Sequence, residues 1–398
     1  MIDNSRSLEA VVRHAVDAEG NDDYEDIAPV VKALESSGDS SLVPRLHQAL
    51  DQFLDDGNFY GRDLIAAILA GIQGPAALPA LLRASSRDLG DDQDSLQAEI
   101  TDLLRSDQAA ARAIVLDFVS SGTAELRRTG VWALGFIAGP DDVEALAAAA
   151  TDSDPRIRSL AIGSIPDIAR DDRAYRAVVL ALRDLDQQVQ VSAVSRLGYS
   201  GRAEAVGPLT ALATDRTARV RSMVAYALGR LGSSEATPAL LQLLRDPERQ
   251  VFERAVEALG LVGGPDAVSA LLALAADEDP QRRVEAANAL AKAASCDAAA
   301  KQRLVLLAQD GEAAVRAATI SGLAGAHAEP SDWAPFVAGM ANDPDPLVRQ
   351  RVALVARRLA PGAAPDILRR YTGDPDETVR RLARRELDRL GGSAAGRG

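Results

Sequence analysis

The stretch DRTARVRSMVAYALGRLG, Asp215 to Gly232, decides the fold. Arg221 stands six residues after Asp215, Val220 just before it and Leu228 seven residues after it. Val220, Val224 and Leu228 recur at i, i+4 and i+8, which is one face of an α-helix. The same frame returns along the whole chain. With its arginine as index, the positions are Arg62, Gln97, Arg127, Arg158, Gln190, Arg221, Phe252, Arg283, Arg316, Arg349 and Arg380, spaced 30 to 35 residues apart. Six residues upstream of each stand Asp56, Asp91, Ser121, Asp152, Asp184, Asp215, Asp246, Asp277, Asp310, Asp343 and Asp374. Seven residues downstream the position is apolar in every frame, and only Ala356 is small. A fixed period of this length is the signature of a repeat architecture.

Each frame reads as two helices. An apolar-periodic segment such as 236–244 precedes the Asp, and a second such as Val251 to Leu261 follows it. The Asp lies in the turn between them, where its carboxylate can accept backbone N–H groups and favours the next helix N-terminus. Gly229, Gly232, Gly260 and Gly263 fall where the second helix is expected to stop. Pro208, Pro238 and Pro265 stand near the starts of first helices.

This pattern resembles the HEAT-repeat superfamily, particularly the short bacterial HEAT-like repeats also found in phycobilin lyases. The resemblance covers roughly residues 40 to 392. It implies an all-α fold: an α-solenoid of about eleven stacked helix pairs. It also implies a ladder between neighbouring repeats, in which Asp152, Asp184, Asp215, Asp246, Asp277, Asp310, Asp343 and Asp374 pair with Arg158, Arg221, Arg283, Arg316, Arg349 and Arg380. Gln97, Gln190, Phe252 and Ser121 depart from it, and weaker or substituted rungs are expected there. A fold of this kind says little by itself about function.

Composition agrees with a helical repeat. The 398 residues are 47% hydrophobic and 26% charged, with only 4% aromatic, and a solenoid can bury such a chain in a thin continuous core. A lone cysteine, Cys296, excludes an internal disulfide and fits a reducing, cytoplasmic setting. The first residues carry neither a basic nor an apolar leader segment, so no signal peptide is expected. No apolar run of about 18 residues is discerned, so no membrane span is expected. Arginine outnumbers lysine by 41 to 3, which reads as a bacterial coding bias.

Charge is unevenly distributed. Residues 1–122 hold 9 basic and 22 acidic side chains, while 123–398 are nearly balanced at 35 and 36. The last frames lean basic through Arg357, Arg358, Arg369, Arg370, Arg380, Arg381, Arg384, Arg385 and Arg389. The acidic third admits two readings: attraction of a basic partner, or solubility and capping.

Taken in order, residues 1–55 read as a divergent helical N-terminal cap, with helices at 5–18, 27–34 and 42–54 and an acidic linker from Gly20 to Asp26. Residues 56–392 read as the repeat array and 393–398 as a disordered tail. The loop Ser85 to Gln93 is longer than its equivalents, and such loops often carry function. Ile165-Pro166 interrupts one second helix. Residues 297–300 and 326–331 read as lengthened loops.

Catalytic signatures are missing. His14, His47 and His327 are scattered, the acidic loop lacks a calcium-loop spacing, and no phosphate-binding or nucleophile motif occurs. No cofactor, metal or catalytic residue is therefore assigned. The Asp–Arg pattern could form an anion- or metal-binding row, but its recurrence in every frame favours a structural ladder.

The candidate partner-binding residues lie one, five and nine positions after the index, on the second-helix face that lines the concave side of HEAT-type stacks. They are Arg128, Trp132, Phe136, Tyr199, Tyr226, Arg230, Glu253 and Glu257, with Ser222 on the same phase. Aromatics and arginines commonly anchor interfaces. Phe252 is expected in the core and Trp333 at the outer edge of a first helix.

Two functions follow. The first is a non-catalytic scaffold or adaptor that binds a basic protein ligand through its concave face and acidic third. The second is an enzyme on the same scaffold, as in HEAT-like DNA glycosylases or bilin lyases. A net charge of −14 weighs against nucleic acid as partner, because backbone binding needs a basic track.

Overall fold

The computed structural model describes residues 3–17, 24–294, 297–325 and 330–395. Most of the acidic linker, Cys296, His327 and residues 396–398 lie outside the described residues. The chain divides into two compact units, Met1–Arg196 and Leu197–Gly398. Each is all-α, a stack of helix pairs of the α-solenoid kind, with no strand among the described residues.

In the first unit the helices Asn4–Asp17 and Tyr24–Glu35 pack against Phe59–Gln73. Leu8, Val11 and Ala15 from one, and Ile27, Val31 and Leu34 from the other, are buried there. Asn58 adds a side-chain hydrogen bond to the Ala15 carbonyl at 2.8 Å.

The stretch Phe59–Ser85 does have the length and apolar composition of a membrane helix, contrary to the sequence reading. It folds instead as Phe59–Gln73, a 3-10 turn at Gly74–Ala77 and Leu78–Ser85. Ile65, Ile68, Leu69, Leu78 and Leu81 are among its fully buried residues, so the apolar run is the core of one repeat.

In the second unit the first and second helices alternate as expected. Thr237–Leu243 is followed by Arg249–Val262, and Pro265–Leu274 by Pro280–Ala293. The apolar stripe forms the core: Val220, Val224, Leu228, Leu259, Leu290 and Leu323 are all fully buried.

The ladder is present, and it is tighter than an exposed ion pair. The Nε and Nη2 of Arg221 donate to both carboxylate oxygens of Asp246 at 2.6 and 2.8 Å. Arg158 holds Asp184, Arg283 holds Asp310, Arg316 holds Asp343 and Arg349 holds Asp374 in the same bidentate way. Arg127 with Asp152 and Arg62 with Asp91 extend it toward the N-terminus. Each of these arginines except Arg62 also donates Nη1 to the carbonyl of its own turn, as Arg221 does to Asp215 at 2.8 Å. One side chain thus clamps its own turn to the next.

Each ladder carboxylate also accepts the backbone N–H two residues on, as Asp246 does from Glu248 at 3.0 Å. The helix N-cap is therefore not the ladder residue but the one that follows the turn, such as Asp154, Asp279 or Asp345. The guanidinium bonded to each of Asp152, Asp184, Asp246, Asp310 and Asp374 holds its carboxyl below the usual carboxylate range.

The expected weak rungs are replaced. Gln190 donates to the Leu182 carbonyl. At Phe252 the substitution is by a neighbour: Arg282 lies 5.6 Å from the ring centroid and pairs with Asp277 at 3.1 Å. Phe252 is accordingly half-buried rather than in the core, because its ring serves as a platform for that guanidinium.

Several expectations are corrected. Gly229 and Gly260 lie inside their helices, and only Gly232 and Gly263 end them, at φ of 65° and 64°. The interior glycines serve close packing instead. A Cβ on Gly229 would stand 2.8 Å from Ala258 Cα, and one on Gly260 would stand 2.6 Å from the Ala289 carbonyl oxygen. Ser222 is buried, since successive second helices approach that closely. Trp333 is also buried, at 3% exposure, because its helix Pro330–Gly339 turns it inward to meet Phe336.

Asp297 caps a helix that already begins at Ala298, so residues 298–300 are not loop. The last helix, Glu377–Ala395, runs through residues 393–395 of the expected disordered tail. No proline stands there to stop it, and Ala394 and Ala395 favour helix. At Ile165-Pro166 the second helix does stop early, at Ser164.

Candidate functional site

On the second helices of the second unit the predicted residues meet in one row. Tyr226 and Arg230 lie a turn apart on Ala218–Leu231, and Tyr199 follows the helix Gln187–Gly198. The Tyr199 and Tyr226 hydroxyls hydrogen-bond at 2.7 Å, with ring centroids 6.3 Å apart. The guanidinium of Arg230 sits 4.0 Å over the Tyr199 ring. Tyr199 remains 57% exposed, so this stack of ring, hydroxyl and cation faces solvent rather than the core. The hydroxyl contact with Tyr226 raises the Tyr199 pKa.

The row continues onto Arg249–Val262. Arg254, which the sequence reading missed, lies 5.7 Å from the Tyr226 ring centroid and bonds Glu257 at 2.9 Å. Lys292 reaches the other Glu257 oxygen at 3.0 Å. Burial raises the Glu257 carboxyl, but Lys292 and Arg254 outweigh it and leave the group more acidic than usual. Glu253 pairs with Arg249 at 2.6 Å, and Arg249 also reaches Glu285 at 2.8 Å. Arg254 stands two residues after its index position, so a face drawn one residue wider would have caught it, whereas Lys292, nine after Arg283, lies on the same phase in a frame where no candidate was drawn.

The remaining predicted residues form a separate group in the first unit. Trp132 and Phe136 meet edge to face with centroids 5.0 Å apart. Phe136 is 44% exposed, while Trp132 is half-buried. Trp132 and Arg128 line a cleft of about 350 Å³ with Asp88, Asp92 and Leu160, so the long acidic loop does border candidate residues.

Both groups offer rigid rings flanked by opposed charges, the chemistry of an interface anchor. No cluster of side chains suited to a metal ion occurs among the described residues. His14 bonds the Tyr60 hydroxyl at 3.0 Å.

Residues 176–253, 237–324 and 302–388 match the family model described as HEAT repeats, together more than half of the chain. A search of curated proteins returns no match. Among solved structures the chain is similar to one from the structure of Kap95p bound to RanGDP, with TM-score 0.60 and 16% identity over 96% of this chain and 60% of that one. Importin beta, crystallised in an ammonium sulfate condition, aligns with TM-score 0.54 and 16% identity over 93% of this chain and 59% of that one. The CpcE–CpcF complex of phycocyanin lyase from Nostoc sp. PCC7120 aligns at TM-score 0.36 and 19% identity, over 62% of this chain and 94% of that one. At these identities the likeness is one of fold alone, and the chain spans about 60% of the length of the first of these chains.

Proposed function

The chain belongs to the HEAT-repeat family, and from that premise we propose that it is a non-catalytic scaffold whose second-helix faces bind a protein ligand of basic character. The Tyr199–Tyr226–Arg230 stack carries the reading. A chain with 6 tyrosines and 6 phenylalanines in 398 residues leaves two rings on one face, hydrogen-bonded to each other at 2.7 Å and covered by a guanidinium. Nothing in the stacking of repeats requires it, since the same helix buries Val220, Val224 and Leu228 on its other side. Pre-ordered aromatic and arginine side chains lose little freedom on binding, which is what an anchor needs.

The basic character of the ligand rests on the acidic first third, which favours encounter with a cationic partner through complementarity. Importin beta and Kap95p are similar to this chain in fold, and the structure that contains Kap95p is one in which it binds another protein, RanGDP.

Contacts in the last repeat argue against the nucleic-acid alternative. Arg389, Arg385 and Arg357 turn onto one buried carboxylate, Glu386, at 2.7, 3.4 and 3.6 Å. Arg369 pairs with Asp366 at 2.7 Å. These charges are partly neutralised within the fold instead of forming a bare positive track.

Affinity capture from the source cell tests the reading, with wild type compared to Trp132→Ala/Tyr226→Ala. Loss of captured protein in the double variant is expected. Full retention removes both residues from the interface. Salt-dependent binding of double-stranded DNA at physiological ionic strength would overturn the protein-ligand reading in favour of the alternative.

A further inference from the structure

In the first unit the helices Tyr24–Glu35, Phe59–Gln73 and Asp94–Ser106 enclose a cavity of about 580 Å³. Three rings line it: Tyr24, Phe59 and Tyr60. Tyr24 is 45% exposed and Phe59 40% exposed, although each opens a helix whose apolar face is otherwise buried. Tyr60 is held from behind by His14. Carboxylates complete the lining, with Asp63 and Glu99 from the helices and Asp91 and Asp92 from the loop. No basic side chain lines it among the described residues.

The one arginine beside it is already engaged. Arg62 is fully buried and bonds both oxygens of Asp91 at 3.0 and 2.6 Å, with its Nε on Asp63 at 2.8 Å. Even so, burial pushes the Asp63 carboxyl up. Burial, with Glu35 and Asp102 nearby, does the same to Glu99. One guanidinium, on Asp63 and Asp91, stands against four lining carboxylates, so the walls carry more negative charge than their own cation pairs.

We infer that this cavity receives a single cationic side chain, arginine or lysine, from a basic segment of the partner protein. Ring faces attract ammonium and guanidinium groups through their quadrupole, and the carboxylates supply the counter-charge. An anion would meet four carboxylates. A bare metal ion would meet rings that cannot ligate it, and the described residues hold no metal-binding cluster. An apolar side chain would cover the half-buried carboxyl of Glu99 and strip its water without supplying a counter-charge. A long aliphatic stem tipped with charge matches both walls at once. The inference rests on the protein-binding reading only for the source of the cation.

The test uses the full chain and a labelled Gly-Arg repeat peptide, followed by fluorescence anisotropy, with the citrulline counterpart as neutral control. Tyr24→Ala/Phe59→Ala is expected to weaken the arginine peptide at least about fivefold, the loss for two partly exposed rings. Glu99→Gln is expected to weaken it as well while leaving the protein no less stable, which separates lost binding from misfolding. Asp51→Asn/Asp117→Asn removes two surface charges away from the cavity and is expected to leave binding within about twofold, since exposed charges at a distance are screened. Wild-type affinity in the ring variant, or equal binding of the citrulline peptide, would overturn the inference. Loss of the peptide in the cavity variants supports it whatever affinity capture returns. Capture of a protein partner that survives those variants would refute the cavity while leaving the scaffold reading in place.

Discussion

The worth of one ladder rung can be measured inside this protein, because neighbouring repeats differ by a single rung. Asp246 and Asp215 make the same turn. Each accepts the N–H two residues on, at 3.0 and 2.8 Å. Asp246 also receives both arms of Arg221, whereas the frame before Asp215 carries Gln190 where the arginine would be. Asp215→Ala should thus remove only the turn hydrogen bond, about 0.5–2 kcal/mol by analogy with helix caps.

Asp246→Ala removes that bond and also strands Arg221. An exposed pair would add about 0–1 kcal/mol, and breaking a fully buried one about 3–5 kcal/mol. The Arg221 and Asp246 side chains are 13% and 7% exposed, so the rung lies between those limits. An extra loss of about 2–3 kcal/mol is expected, above the small value that an exposed ladder would give. Leu228→Ala, at a fully buried position, should cost about 2–5 kcal/mol.

Urea unfolding of the three variants, followed by far-ultraviolet circular dichroism, reads these differences. Repeat arrays can unfold in parts, so the comparison needs coincident transitions by a second probe. If Asp246→Ala costs no more than Asp215→Ala, the bidentate geometry contributes nothing beyond the turn, and the account of the ladder fails. If Leu228→Ala costs no more than Asp215→Ala, the helical phase itself is wrong.

Two adjacent arginines should behave differently: Arg283→Ala, whose side chain is 16% exposed and grips Asp310, should cost clearly more than Arg282→Ala, which is 51% exposed. Denaturant midpoints of the two variants decide it. The ladder carboxyls of Asp152, Asp184, Asp246, Asp310 and Asp374 titrate below their unfolded values, so their stabilisation is complete above about pH 4 and is lost as pH falls through the folded values. An acid titration of wild type should show this loss, and Arg221→Gln should show a smaller one. Glu99 is shifted the other way, so Glu99→Gln should raise or maintain the melting temperature at neutral pH, as differential scanning calorimetry would show. Gly229→Ala gains about 1 kcal/mol in helix propensity, but its Cβ would stand 2.8 Å from Ala258, and overpacking of about 1–3 kcal/mol should make the variant less stable than wild type.

Repetition made the architecture legible from residues alone. Asp at six before the arginine and a large apolar side chain at seven after it specify a turn and a helix face locally, and thirty-odd residues later the same local physics applies again. Local rules also foretold the positive-φ glycines that end helices at Gly232 and Gly263 and the break at Pro166. Anything that depends on how far one helix stands from the next was not legible. Gly229 and Gly260 look like helix stops in sequence, yet they mark where backbones approach too closely for a methyl group. Arg282 takes over a rung because it comes within reach of both Phe252 and Asp277.

The candidate site divides along the same line. The period placed Tyr199, Tyr226 and Arg230 on one face, but only tertiary packing set the Tyr199 and Tyr226 hydroxyls 2.7 Å apart and brought Arg254 beside them. In the cavity, Asp63 and Glu99 stand one and two residues after the index positions Arg62 and Gln97, but Tyr24 comes from a helix outside the repeat frame, so the period could not announce the whole site. A helical repeat encodes its direction and phase in short-range order. The separations between helices come from the fit of side chains distant in sequence, and those separations make the surfaces a partner would meet.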